Sequence, residues 1–399
     1  MGTSLLSPPG EVTVRRTPFR LPGNRVLRRT VLVLFVGLAM VAAWQRGVQT
    51  STHATFPIFR QSFPHLAAGT DLYARYPAEQ GTEERDRFKY APSAAVVLAP
   101  LSVMPFLAGL LAWTLVNTLA VYAAVRRLMP GREGLLAQFM VFPALIAAVQ
   151  STSSNGLIAA LLVGTFVAIE AGQAWRAAFA VATGTLMKLF PAALLPFVLV
   201  SPRRWRIALA VVAVFALMLA APLLVTSPAE LAAQYRSWVA ILLRDEGDLT
   251  FARSIMVVFR EFSGTTVANW LFQGIATLIL LTPLLRKAKW TDAGFRRAFL
   301  ASLLVYVVIF NHQSENASYV IASIGLALWF LSNERTLARW VLLLACMAGL
   351  EAVPYFLVWI WMQLDLLDGP RLLGWIVDRF EKPDAASAPA VPASDPVEA

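Results

Sequence analysis

Long apolar runs separated by short basic or polar stretches organise this chain. The first segment, 26–46, carries the apolar run TVLVLFVGLAMVAAW behind Arg28 and Arg29. Its small-residue stretch near 39–43 resembles a signal peptide, but the many runs that follow make it an uncleaved anchor. Residues 93–104 are apolar over only about half of the ~20 positions needed to cross a bilayer as helix, so they read as a half-helix or re-entrant piece. A full span follows over 106–127. Shorter spans, 134–149 and 156–172, flank a polar turn at 150–155. The segment 177–201 is interrupted at Lys188 to Pro191 and has basic residues at both ends. It reads as two half-helices that dip and return, a geometry tolerated where protein or a water-filled cavity satisfies the freed backbone groups. Spans over 205–225, 266–285, 297–311 and 318–332 follow, with 340–363 as a last span or a hairpin around Pro354. The expected architecture is an all-α polytopic membrane protein with about ten to twelve transmembrane or re-entrant helices.

The polar stretches give orientation and domain limits. Residues 1–25 carry four arginines and Pro8, Pro9, Pro18 and Pro22, which discourage helix, and form a disordered cytoplasmic tail. The stretch 379–399, rich in Ala, Pro and acidic residues, forms a second disordered tail. Between them lies one membrane domain, 26–378. Basic residues at Arg126, Arg127, Arg203, Arg286 and Arg335 mark the cytoplasmic side, which puts loops 47–92 and 227–263 outside. The second loop opens with Ser227-Pro-Ala-Glu230, a capping box with proline at the first helical position. The helix it starts carries Leu231, Tyr235, Trp238 and Leu242 at helical spacing and is expected to lie along the membrane surface.

Composition narrows the class. The chain is 58% hydrophobic and 15% charged, against about 25% charged for ordinary soluble domains. Its net charge of +10 sits in clusters between apolar runs, which positive-inside orientation explains without nucleic acid. The single cysteine, Cys346, excludes an intramolecular disulfide framework and a cysteine-rich metal site. No internal repeat of the kind found in many secondary transporters is visible.

Candidate chemistry collects on the non-cytoplasmic side. The loop 53–92 holds His53, Arg60, His65, Asp71, Arg75, Lys89 and Tyr90. The expected topology adds Gln150 and Asn155 of the polar turn, Lys188 at the helix break, and His312 with Glu315. Each has a plain alternative. Lys188 either snorkels to headgroups or faces a cavity. His312 and Glu315, three apart on an expected helix end and so on one face, either cap it or act on a substrate. Asp71 is either a turn residue or a base. Lys89 and Tyr90 either anchor the chain at the interface or line the site. Arg60 meets either a lipid phosphate or the substrate.

Several stretches taken in order are similar to the GT-C membrane glycosyltransferases, and in particular to glycosyltransferase family 87, the polyprenyl-phosphate-mannose-dependent group. They are PIFRQSFPHLAAGTDLY with FKYAPSAAVVLAPLSVMP behind it, Gln150 with Ser154-Asn155, the break Met187-Lys188-Leu-Phe-Pro191, Ser227-Pro with Tyr235-Arg-Ser-Trp238, and Val308-Ile-Phe-Asn-His312. The resemblance runs from about residue 30 to 335, and its specificity lies in the succession rather than in any one piece. It implies transfer of a sugar, usually mannose, from a polyprenyl phosphate carrier to a glycan or glycolipid acceptor on the outer face of the plasma membrane. It also implies an acidic residue at the start of the first external loop, just before an aromatic. Thr55, ahead of Phe56, stands there instead. Either another group such as Asp71 or Glu315 takes the role, or activity is altered.

Displacing a lipid phosphate from an anomeric carbon needs a base for the acceptor hydroxyl and cations for the departing phosphate. Arg60, Lys89, Lys188 and His312 are candidates for the phosphate, and Asp71 and Glu315 for the base. Tyr90, Gln150 and Asn155 complete the candidate binding set. No cofactor is readable, and no compact ligand cluster decides whether a divalent metal is needed. A transporter or flippase of a lipid-linked sugar would use the same cationic cavity without bond chemistry.

Overall fold

The computed structural model describes residues 24–48, 55–76, 87–245, 253–265, 267–349 and 351–369. His53 and the two expected tails, apart from residues 24 and 25, lie outside them. In chain order the helices are α1 (Asn24–Val48), α2 (Phe56–Ala67), α3 (Pro92–Ser102), α4 (Phe106–Leu128), α5 (Gly131–Gln150) and α6 (Asn155–Glu170). They continue with α7 (Ala174–Met187), α8 (Leu195–Val200), α9 (Arg204–Ala220), α10 (Pro228–Asp245) and α11 (Ile255–Ser263). The last five are α12 (Asn269–Leu281), α13 (Ala293–Ile309), α14 (Tyr319–Ser332), α15 (Leu337–Gly349) and α16 (Ala352–Leu366). Among the described residues four helical stretches are long and apolar enough to cross a membrane, Arg25–Val48, Phe106–Leu128, Gly131–Gln150 and Arg204–Leu224, and seven shorter apolar helices accompany them. The protein is an all-α polytopic membrane protein.

Helix α14 is apolar all round, and every residue from Tyr319 to Leu331 is buried. It therefore sits in the middle of the bundle, packed on α13, α5 and α6. Gly325 permits that proximity, because a Cβ there would stand 2.5 Å from the Ala301 carbonyl oxygen of α13. Small residues let membrane helices approach in this way. Around this centre α1 packs on α4 and α5, and α7 on α6 and α9.

Side-chain contacts define two ends. At the basic end Arg296 grips Glu170 with Nε at 2.7 Å and Nη2 at 2.8 Å, tying the start of α13 to the finish of α6. The Arg203 guanidinium lies against Gly172, and Arg286 pairs with Asp368 and donates to the Leu366 carbonyl at 2.5 Å. Arg339 is buried beside the edge-to-face pair Trp329 and Trp361, 5.4 and 5.3 Å from their ring centroids, and reaches Asp365 at 3.2 Å. At the other end are the α5–α6 turn, the start of α2 and the break after α7.

Several expectations are refined by the coordinates. The break after α7 is present: Lys188 is extended, with φ −146° and ψ 136°, and a short 3-10 turn, Phe190–Leu194, leads into α8. The capping box at α10 forms, with Ser227 N donating to Glu230 Oε2 at 2.8 Å. Hydrogen bonds from Ser227 hold the Glu230 carboxyl below the usual range. The 340–363 region is a hairpin, but its break is at Glu351, the N-cap of α16. Pro354 falls in the first turn of α16, where its missing N–H costs nothing. The stretch 311–315 is a non-helical turn between α13 and α14, so His312 and Glu315 are not on one helix face. Glu315 caps the 3-10 turn Asn316–Ser318 instead. Of the apolar stripe of α10, Leu231 is buried against protein and Tyr235, Trp238 and Leu242 are half-buried.

The Arg339 arrangement predicts a stability effect. Arg339→Met should lower stability by on the order of 2 kcal/mol, from loss of two cation–π contacts and two hydrogen bonds, to the Glu334 carbonyl and Asp365. Arg339→Lys should recover little of it, because a point ammonium lacks the planar fork that donates to the Glu334 carbonyl and Asp365 at once. Unfolding in a denaturing detergent titration reads both.

Candidate functional site

The site is built on the turn 150–155. Thr152 takes a left-handed conformation, φ 51°, and its carbonyl accepts the Trp113 indole N–H at 2.8 Å. The start of α2 docks on the same turn: Thr55 Oγ1 donates to the Ser151 carbonyl at 3.1 Å, and Phe56 N donates to Thr152 Oγ1 at 3.1 Å. Thr55 is thus a structural contact between the first loop and this turn.

Asn155 opens α6 and is buried. Its Nδ2 donates to Ser153 Oγ at 3.2 Å, and its Oδ1 accepts from Lys188 Nζ at 2.8 Å. Asn117, a buried amide in the middle of α4, keeps α6 in place. Its Oδ1 accepts from Leu157 N at 2.9 Å while its Nδ2 donates to the Trp113 carbonyl at 3.0 Å. A neighbouring helix thereby supplies the acceptor for an orphan amide at the α6 N-terminus. Gly156 allows the contact, since a Cβ there would be 3.1 Å from three Asn117 atoms.

Lys188 is half-buried, and its ammonium lies 5.6 Å from the Phe190 ring centroid. Among the described residues, Glu315 and Lys89 carry charges that bear on it. The turn carrying Glu315 reaches it because the 3-10 turn Asn316–Ser318 packs on α5. The Glu315 side chain accepts from the backbone of Ser318 and is otherwise exposed. Tyr90 points the same way, its hydroxyl 3.5 Å from Ser154 Oγ and its ring against Phe59 and Phe88. Asn155, Lys188, Lys89, Tyr90 and Glu315 therefore share one neighbourhood.

The other sequence candidates are held differently. Arg60 donates to the Met104 carbonyl at 3.0 Å, bracing α2 against the α3–α4 turn. Asp71 is exposed, with Oδ1 accepting from Tyr73 N at 3.1 Å in an Asx turn. Gln150 ends α5. His312 Nδ1 lies 3.3 Å from Gln273 Nε2 of α12. His65 stacks on Tyr76, ring centroids 3.7 Å apart, and burial holds its pKa below the ordinary histidine value. Among the described residues no three His, Cys, Asp or Glu side chains group as a metal site.

Helix α10 holds the first loop down. Gln234 accepts from Leu72 N at 3.1 Å and donates to the Thr70 carbonyl at 2.8 Å, while the Trp238 indole donates to the Lys89 carbonyl at 3.1 Å. Tyr73 Oη donates to the Tyr90 carbonyl at 2.8 Å, and Ala91 N to the Leu186 carbonyl at 2.9 Å. These contacts fix the backbone from which Lys89 and Tyr90 project.

Residues 88–310 match the sequence profile of glycosyltransferase family 87, more than half of the chain. The chain belongs to glycosyltransferase family 87. None of the curated proteins matches it. The family 87 match is narrower than the stretch over which the resemblance is legible by eye. It begins at Phe88, beside Lys89 and Tyr90, includes Gln150, Asn155 and Lys188, and ends at Phe310. Arg60, Asp71, His312 and Glu315 lie outside it.

Sequence reasoning missed Asn117, Gln234 and Thr152. Asn117 was detectable as a lone amide in an otherwise apolar span, a position where polar residues are costly. Gln234 falls one turn after Leu231 on the inward face of α10. Nothing in the sequence marks the left-handed conformation of Thr152, a residue type that seldom adopts it. Asn117→Ala should lower stability by about 1–2 kcal/mol through loss of the cap on α6. Thermal unfolding of the purified protein in detergent measures it, and an unchanged midpoint would remove Asn117 from this role.

Proposed function

We propose that this family 87 membrane glycosyltransferase transfers a hexose, mannose first among the candidates, from a polyprenyl phosphate carrier to a glycan or glycolipid acceptor. We place the reaction on the extracytoplasmic face of the plasma membrane. The observation that carries the reading is the Lys188 ammonium at a helix break, oriented by Asn155, with Lys89 near it and a carboxylate, Glu315, within electrostatic reach. A phosphate monoester leaving group needs that positive field as its charge develops. Lys188 and Lys89 supply it, and Tyr90 and Asn155 orient the donor.

In the proposed step Glu315 takes the proton of the acceptor hydroxyl as its oxygen attacks the anomeric carbon. The bond from that carbon to the phosphate oxygen breaks, and polyprenyl phosphate leaves with the electron pair. Each carboxylate accepts one local backbone N–H, Ser318 for Glu315 and Tyr73 for Asp71, and Glu315 is preferred because its charge bears on Lys188. Arg60 and His312 then brace the walls, and Gln150 closes the turn below. The membrane domain 26–378 is read as one scaffold for this site.

Two outcomes test the assignment. Glu315→Gln should lower the transfer rate by ~10²–10⁴ with radiolabelled polyprenyl-phosphate sugar, while Asp71→Asn stays close to the parent. Equal losses, or none in Glu315→Gln, would overturn the choice of base. Lys188→Met should raise the donor KM by roughly 10–100-fold, the cost of a lost charged hydrogen bond, while the fold is retained and stability falls by about 1–3 kcal/mol from an unpaired buried Asn155 oxygen. Unaltered kinetics would return Lys188 to a snorkelling role.

Sidedness is checked separately. The one native cysteine, Cys346, is buried, so introduced thiols can be read against little background. Ala67→Cys, on the exposed face of α2, should label with an impermeant reagent from outside intact cells. Ala288→Cys, exposed at the basic end, should label only after the membrane is opened. The reverse pattern would put the site in the cytoplasm.

A further inference from the structure

The end of the bundle away from the candidate site has a cavity of its own. Arg28 of α1, Arg126 of α4, and Met129, Pro130, Gly131 and Leu135 around the start of α5 line about 140 Å³. That is far more than the ~10–15 Å³ one water requires, and enough for a phosphate group. The cavity lies where α1, α4 and α5 pack on one another.

Its two arginines are set differently. Arg126 is fixed by Tyr122: its Nη1 donates to Tyr122 Oη at 3.1 Å, and the guanidinium carbon lies 5.4 Å from the ring centroid. Arg28 enters half-buried from the first turns of α1. Gly131 has φ +76° with nothing within 4 Å of where a Cβ would stand, and no side chain caps α5 at its N-cap, Pro130. Nearby in the chain are Arg25, Arg29, Arg127 and Arg132, with Glu133 as the acid in the first turn of α5. The balance is strongly positive.

We propose that this cavity binds the phosphate group of an anionic phospholipid and clamps the α1–α4–α5 seam. The chemistry is that of any phosphate: two guanidinium forks and backbone amides. A lipid is the source because the cavity is at the ends of spanning helices, which is the depth of the headgroups, and basic pockets between membrane helices suit such headgroups. Free phosphate would have to be drawn from water to the same place without the gain from buried acyl chains.

The test uses the full chain in a neutral detergent, with phosphatidylglycerol, phosphatidylcholine or inorganic phosphate added, read by native mass spectrometry and thermal unfolding. The parent should retain phosphatidylglycerol about tenfold more tightly than phosphatidylcholine, whose phosphate is the same but whose choline cation cancels the headgroup charge and is repelled by the arginines. Arg28→Gln with Arg126→Gln should abolish the preference. Arg28→Gln alone leaves the Arg126–Tyr122 contact intact and should weaken it, which keeps the test usable if the double variant does not fold. Arg203→Gln with Arg204→Gln, at the same end but outside the cavity, should keep it. A preference that survives the double variant, or that disappears equally in the control, overturns the site. Displacement of the lipid by millimolar inorganic phosphate overturns the lipid as its source. Sugar transfer is not part of the readout, so this inference and the donor reading fail independently.

Discussion

A lysine drawn into an apolar bundle must be met by an oxygen, and here that oxygen is Asn155 Oδ1. The cost of leaving an ammonium without such a partner in low dielectric is several kcal/mol, so the position of Asn155 constrains everything that touches it. Asn155 is placed by the α5–α6 turn, the turn by Trp113 and Thr55, and the start of α6 by Asn117. Four helices thus converge on one amide. The break after α7 is tolerated for the same reason, since it delivers Lys188 to that amide while Lys188 N still closes on the Gly184 carbonyl at 2.7 Å.

The matched family stretch and the candidate site overlap unevenly. The cationic cradle of Lys89, Asn155 and Lys188 falls inside residues 88–310, while both carboxylates weighed as the base fall outside. The part proposed to hold a phosphate is therefore the part the family profile describes. The proposed proton acceptor sits on the turn that follows it, and the first loop reaches the cradle through Thr55 rather than through an acid.

Most of the helical order was legible because apolar run length is a strong signal. The interruption at Lys188 to Pro191 was legible because a charge and a proline together cannot continue a membrane helix. The hairpin at 337–366 was half legible: Pro354 drew attention, but a proline in a first turn starts helices as readily as it ends them. For the candidate site, residue type pointed to Asn155 and Lys188 as polar groups at helix ends, but their hydrogen bond spans 33 positions and belongs to packing. The spacing of His312 and Glu315 misled because α13 stops at Ile309, and helical periodicity has no meaning past a terminus. Asp71 in Gly-Thr-Asp-Leu-Tyr has the sequence of a turn and forms one.

Helix α10 has a consequence for how this protein can be taken apart. Gln234 and Trp238 bind main-chain atoms of Thr70, Leu72 and Lys89, not their side chains. Such contacts tolerate changes of residue in the first loop but not a change in its backbone path or length. The first loop and α10, 149 positions apart in the chain at the Lys89–Trp238 contact, therefore behave as one exchangeable module. A chimera that imports a relative's first loop without its α10 would carry mismatched backbone groups under a buried glutamine, whereas one that imports both brings its own fastening.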